Sequence, residues 1–115
     1  MIGYRPSLPQ LDAELRAAIV QRIVGALAPE KILLFGSRAR QTHRPDSDID
    51  LLVVKESTEP RYKRAVPAYA ALADLPIEVN TEVIVYTPQE IRDWSEASAA
   101  FVTTALRDAQ VLYER

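Results

Sequence analysis

The chain contains no cysteine. Disulfides, thiolate zinc sites and cysteine nucleophiles are therefore excluded together, and a reducing cytoplasm is the expected setting. It has a single histidine, His43, in a polar loop. Serine-hydrolase chemistry needs an imidazole base beside a hydroxyl, and that one residue is a poor candidate for it. No apolar run approaches membrane-spanning length, and the opening Met1-Ile2-Gly3-Tyr4-Arg5-Pro6 has no apolar signal core, so no membrane association is expected. There is no excess of positive charge either: 14 Lys and Arg stand against 16 Asp and Glu, a formal net charge of −2. A general basic nucleic-acid binder is thereby excluded, and stable direct nucleic-acid binding is not expected.

What remains has an ordinary globular balance. The 115 residues are 48% hydrophobic and 26% charged, enough for one core without staples. A single domain over 1–115 is expected, with 1–8 as a flexible N-terminal tail. Pro9 to Leu27 carries a helical rhythm through Leu11, Leu15, Ile19 and Ile23, stopped by Ala28-Pro29. Lys31–Phe35 and Ile49–Val54 are short apolar runs that predict strands, the first broken by Gly36 and followed by a short helix over 37–41. Arg61–Ala73 is a helix candidate that Pro67 must kink or begin. Glu78–Tyr86 alternates, with Thr81, Val83 and Val85 on one face and Glu82, Ile84 and Tyr86 on the other. Thr87-Pro88-Gln89-Glu90 has the form of a capping box with proline at the first helical position. A last helix over 97–108 and an edge strand at Val111–Tyr113 complete an α/β (α+β) chain, with a small mixed sheet of three to four strands packed with helices.

Chemistry is concentrated between Lys31 and Val54. A strand that ends in Gly36-Ser37 and turns into a helix leaves backbone N–H groups free, and the helix dipole adds positive potential suited to phosphate. Gly36 permits close approach to the backbone, and the Ser37 hydroxyl can donate to a phosphate oxygen. The same pattern also describes a plain tight turn. Asp48 and Asp50 lie at i and i+2, which in a strand share one face, with Ile49 turned inward. Paired carboxylates repel unless a cation neutralises them, and their oxygens suit magnesium or manganese; a loop or cap role for Asp46-Ser47-Asp48 is the alternative. Glu82 becomes a third carboxylate if its strand lies beside Ile49–Val54, with Glu78 and Asn80 competing on the same face. Arg38, Arg40, His43 and Arg44 crowd the loop between these elements and are expected at phosphate, whereas Arg61, Lys63 and Arg64 are expected on a solvated surface. Trp94 and Phe101 fall at helical core positions.

Phe35-Gly36-Ser37-Arg38-Ala39-Arg40, followed after Ser37 by ten residues and then Asp48-Ile49-Asp50-Leu51-Leu52-Val53-Val54, resembles the nucleotidyltransferase superfamily that includes DNA polymerase β. It is most similar to the minimal MNT domains, which are often the antitoxin of a HEPN–MNT toxin–antitoxin pair. Val83-Ile84-Val85-Tyr86-Thr87-Pro88-Gln89-Glu90 after an acidic residue and the closing Val111-Leu112-Tyr113-Glu114 extend the likeness, which runs from about residue 15 to the end. The resemblance implies a polymerase-β-like fold and transfer of AMP from ATP to a hydroxyl, such as a tyrosine of a HEPN RNase toxin. It implies that Gly36 and Ser37 hold the β- and γ-phosphates, with Arg38 and Arg40 assisting. Asp48 and Asp50 would bind two magnesium ions, or manganese, and Glu82 would bind one metal and deprotonate the acceptor. Homo- or hetero-oligomers are permitted. Two positions depart from the family: Gln41 stands where glycine is common, and Glu82 where aspartate is usual. A carboxylate displaced by on the order of 1 Å can lose ~100-fold in rate, so the alternative is an antitoxin that neutralises its partner by binding alone.

Overall fold

The computed structural model describes residues 13–40, 42, 44, 47–96 and 107–115. The expected tail, the start of the first helix, Gln41, His43 and most of the last helix, Phe101 included, lie outside the described residues, as do the side chains of Arg40 and Trp94. Helix α1 (Ala13–Leu27) buries Ile19, Ile23 and Leu27, one residue per turn. It ends because Ala28 turns left-handed, at φ 48°, and Pro29 cannot continue it. The Ala28 N–H still reaches the Val24 carbonyl at 2.9 Å. Arg115 closes this corner from the other end of the chain: its guanidinium donates to the Ala28 carbonyl at 2.7 Å and its N–H to the Glu30 carbonyl at 2.9 Å.

Four strands follow: β1 (Lys31–Phe35), β2 (Ile49–Val54), β3 (Thr81–Tyr86) and β4 (Gln110–Glu114), in sheet order β3-β2-β1-β4. β1 pairs antiparallel with β2 and with β4, while β2 and β3 run parallel, so the sheet is mixed as expected. The two central strands are apolar on both sides apart from Lys31 and Asp50 near their ends, because both faces are covered. Ile32, Leu34, Ile49, Leu51, Val53, Val83 and Val85 meet α1 in the larger core. Leu33, Phe35, Leu52 and Tyr86 form a thinner layer on the opposite face, backed by Ile84, Ile91 and Ala109. The face of β3 that carries Glu82 is thus polar only at its start. No helix among the described residues is long and apolar enough to cross a membrane.

The single helix expected over Arg61–Ala73 is two: α3 (Arg61–Arg64) and α4 (Val66–Leu72), broken at Ala65. Pro67 sits in the first turn of α4, where its missing N–H costs nothing. These helices also seal the outer edge of β3. The Val83 N–H donates to the Tyr69 hydroxyl at 2.8 Å, and Arg64 donates to the Val85 carbonyl at 3.3 Å, so the edge offers fewer free groups to another strand.

Helix α5 (Pro88–Glu96) begins with the expected capping box. The Thr87 N–H donates to Glu90 Oε1 at 2.9 Å, and the Glu90 N–H donates to Thr87 Oγ1 at 3.1 Å. Glu90 also accepts from Arg64 at 2.7 Å and pairs with Arg61 at 3.4 Å. The Arg61 guanidinium lies 5.3 Å from the centre of the Tyr86 ring. The second basic cluster is therefore not simply solvated: Arg61 and Arg64 lock α3 onto the β3–α5 junction. Burial raises the Glu90 pKa, but hydrogen bonds from Arg64 and the Thr87 N–H, with the charges of Arg64 and Arg61, outweigh it and hold the carboxyl below its ordinary 4.5. Glu90 thus contributes stability in full above pH 4.5, and loses it as pH falls through the lower folded value. Glu90→Gln should lower the unfolding free energy by about 1–3 kcal/mol at neutral pH. Urea denaturation of both proteins should show that gap closing in acid; a gap that persists when the carboxyl is protonated would contradict this account.

Candidate active site

Strand register builds the site. Phe35 lies opposite Asp50 in the antiparallel pair, and Asp50 lies opposite Glu82 in the parallel pair. The end of β1 and the starts of β2 and β3 therefore meet at one end of the sheet. Alternation places Asp50 and Glu82 on the face of the thinner core, beyond Leu52 and Ile84. Asp48 stands just outside β2, exposed, while Ile49 is buried between the two aspartates. All three predicted carboxylates reach this end of the sheet.

Gly36 covers the same spot from β1. Its φ is +79°, a left-handed conformation that glycine adopts without penalty. A Cβ built there would lie 2.7 Å from Asp50 Oδ2, so the backbone of the turn rests on that carboxylate. Ser37 opens α2 (Ser37–Arg40), which is one turn long. The helix-dipole attraction expected from sequence is accordingly small, and any attraction for phosphate rests on the local N–H groups and the Ser37 hydroxyl. The Ser37 carbonyl accepts from the Thr42 N–H at 3.0 Å, and Gln110 Nε2 donates to the Ala39 carbonyl at 2.8 Å, tying the turn to β4.

Asp50 is half-buried, and its pKa is raised first by that burial, then by the negative charges of Glu82 and Asp48. Both neighbouring carboxylates therefore bear on Asp50. Among the described residues no three acidic or imidazole groups converge as a ready-made metal cage. The donor set is nonetheless all oxygen, with three carboxylates at one end of the sheet. It suits magnesium, which takes one or two carboxylates and completes its shell with water and phosphate oxygens.

Arg38 lies beneath the loop that leads to the aspartates. It is buried, and Nε and Nη2 both donate to the Ser47 carbonyl, at 3.1 and 2.9 Å. Arg40 closes α2; its side chain lies outside what is described. Arg44 is exposed, and its N–H donates to Ser47 Oγ at 2.8 Å. Ser47 and Gln110 support the site without any signal in the sequence stronger than a turn residue between two aspartates and a polar residue at a strand start.

Two variants test this geometry. Gly36→Ala should destabilise by about 1–3 kcal/mol, the cost of forcing atoms into filled space. Asp50→Asn should raise the melting temperature, because a carboxyl whose folded pKa is raised costs stability once ionised. It should also abolish the stabilisation that manganese gives the wild type. Melting curves with and without the cation check both, and an Asp50→Asn protein that melts lower than wild type would refute the electrostatic account.

The polymerase beta nucleotidyltransferase family matches residues 18–115 of the chain. Among solved structures, a candidate nucleotidyltransferase from Sulfolobus solfataricus is similar with a TM-score of 0.63 at 23% identity, covering 100% of this chain and 94% of that one. A toxin–antitoxin complex with AMP-PNP has a TM-score of 0.56 at 21% identity, covering 87% of this chain and 73% of that one. A mutant form of the MntA–HpeT toxin–antitoxin pair has a TM-score of 0.54 at 21% identity with the same coverage, 87% and 73%. A search of the curated proteins gives no match. The four-stranded mixed sheet, with the Gly36 turn closing on carboxylates at its end, is the fold of that family, and the chain belongs to the polymerase beta nucleotidyltransferases.

Proposed function

We propose that the protein is a magnesium-dependent adenylyltransferase that moves AMP from ATP to a hydroxyl of a protein partner. The partner is a HEPN-type RNase toxin and the acceptor a tyrosine, so that the chain acts as an antitoxin in the cytoplasm. One observation carries this reading: the Gly36 turn is packed on Asp50, with Glu82 beside it in register. The turn and the carboxylates thereby sit at one end of three neighbouring strands. The neighbour solved as a toxin–antitoxin complex with AMP-PNP supports both a nucleoside triphosphate and a toxin partner.

In this reading Gly36 and Ser37 hold the β- and γ-phosphates, and Arg40 adds positive charge. Asp48, Asp50 and Glu82 would hold two magnesium ions, or manganese, which neutralise developing charge and lower the pKa of the attacking hydroxyl. The acceptor oxygen forms a bond to the α-phosphorus. The bond from that phosphorus to the oxygen bridging to the β-phosphate breaks, and the electron pair departs with pyrophosphate. Glu82 takes the proton from the acceptor hydroxyl.

A second reading follows from the position of Glu82, exposed on the outermost strand with a longer arm than aspartate. On that reading the chain neutralises its partner by binding alone.

Incubation with magnesium and ATP labelled at either the α- or the γ-phosphate, with the partner present, separates these outcomes. Label from the α-position should appear on the partner and fall by ~100-fold or more in Asp48→Ala and Asp50→Ala, whose carboxylates set the reacting geometry. Label from the γ-position alone would indicate a kinase-like reaction and end the proposal. Absence of label from either, with neutralisation intact in Asp48→Ala, would establish occlusion instead.

A further inference from the structure

We propose that Arg38 is a positioning residue for the aspartate pair: by gripping the Ser47 carbonyl it fixes where Asp48 stands against the Gly36 turn. This rests on the adenylyltransferase reading and gives Arg38 a role other than phosphate contact. Arg38 is only 4% exposed. A guanidinium is buried at a large cost unless its donors are satisfied. Here Nε and Nη2 converge on one acceptor, the carbonyl of Ser47, nine residues along the chain. The bond closes the base of the loop that joins α2 to β2.

That carbonyl belongs to the peptide that enters Asp48. A peptide group is planar, so fixing its oxygen fixes the nitrogen of the next residue as well. On the other side of Asp48, the Ile49 N–H donates to the Asn80 carbonyl at 2.9 Å. Asp48 is exposed and lies outside the strand ladder, yet the peptides before and after it are both anchored, one by Arg38 and one by the start of β3. A third restraint steadies the first: the Ser47 hydroxyl accepts from the Arg44 N–H at 2.8 Å, and the Ser47 N–H returns to the Arg44 carbonyl at 3.0 Å. Without the grip on Ser47, Asp48 hangs on one anchor and the spacing of the two aspartates is no longer set.

The test measures manganese binding without nucleotide, by the paramagnetic resonance of the free ion, and ATP binding without metal, by calorimetry. Wild type, Arg38→Gln, Arg38→Lys and Ser47→Ala are compared as full chains, each checked for a cooperative melt. Arg38→Gln should weaken manganese binding by ~10-fold, as loss of a ligand's supporting hydrogen bond does, with metal-free ATP binding unchanged. Arg38→Lys should recover part of the affinity, because one ammonium N–H still reaches the carbonyl. Ser47→Ala leaves the guanidinium in place and should weaken manganese binding in the same direction. Should Arg38→Gln fail to fold, wild-type manganese affinity in both other variants overturns the proposal. Normal manganese binding with lost ATP binding in Arg38→Gln would make Arg38 a phosphate ligand and also overturn it. A wild type that binds neither manganese nor ATP removes the adenylyltransferase reading, and the role of Arg38 with it.

Discussion

The pairing of Phe35 with Asp50 is the constraint on which the site depends. β1 and β2 are buried on both faces, and each face wants a different set of side chains. Ile49, Leu51 and Val53 fill the thick core, so Asp50 has to emerge with Leu52 on the thin one. A slip of one residue would drive a carboxylate into the packing of Ile23 and Leu34, which makes the register costly to change. Once Asp50 is fixed there, the residue after Phe35 meets its carboxylate and has no room for a side chain. Hydrophobic packing thus selects glycine at the turn, and the chemistry inherits a backbone that ligands can approach.

The two ends of β3 handle negative charge in opposite ways. At its C-terminal end, Glu90 is surrounded by the Thr87 N–H, Arg64 and Arg61, and its carboxyl is held low. At its N-terminal end, burial first and then the charges of Glu82 and Asp48 push the Asp50 carboxyl up. Two arginines serve the first end, whereas Arg38, which follows the Gly36-Ser37 turn at the second, donates to a backbone carbonyl. Like charges gathered in a partly buried place are costly without a cation, and their folding cost is offset by the two apolar cores behind them.

Much of this was legible in the sequence because it is local. The strand limits of β1 and β2 follow from apolar runs cut by Gly36 and by polar loops, and the Thr87–Glu90 box carries its own geometry. The spacing from Ser37 to Asp48 pointed to a family that the match over residues 18–115 bears out. What escaped depends on distant partners. Pro67 announced a break in Arg61–Ala73, but Ala65 is where the chain bends, because Arg64 is held by Glu90 and the Glu59 carbonyl. Gln110 touches Ala39 only because β4 pairs with β1 across most of the chain. Arg38 looked like one more cation in a basic loop; its inward turn is set by where Ser47 falls once the loop closes.

Glu82 shows how the site can hold a flexible residue. Glutamate has one more rotatable bond than aspartate, so its carboxylate is less confined by its own backbone. The backbone itself is held firmly on both sides. Parallel pairing with Asp50 fixes the inner edge, and the Tyr69 hydroxyl receives the next N–H, that of Val83, on the outer edge. The three carboxylates are therefore restrained in one manner, through the peptides next to them. Asp50 is held by the strand under Gly36, Asp48 by the anchored peptides on either side, and Glu82 by a strand bonded along both edges. Such restraint fixes where each carboxylate leaves the backbone, while the side-chain torsions keep the freedom to adjust.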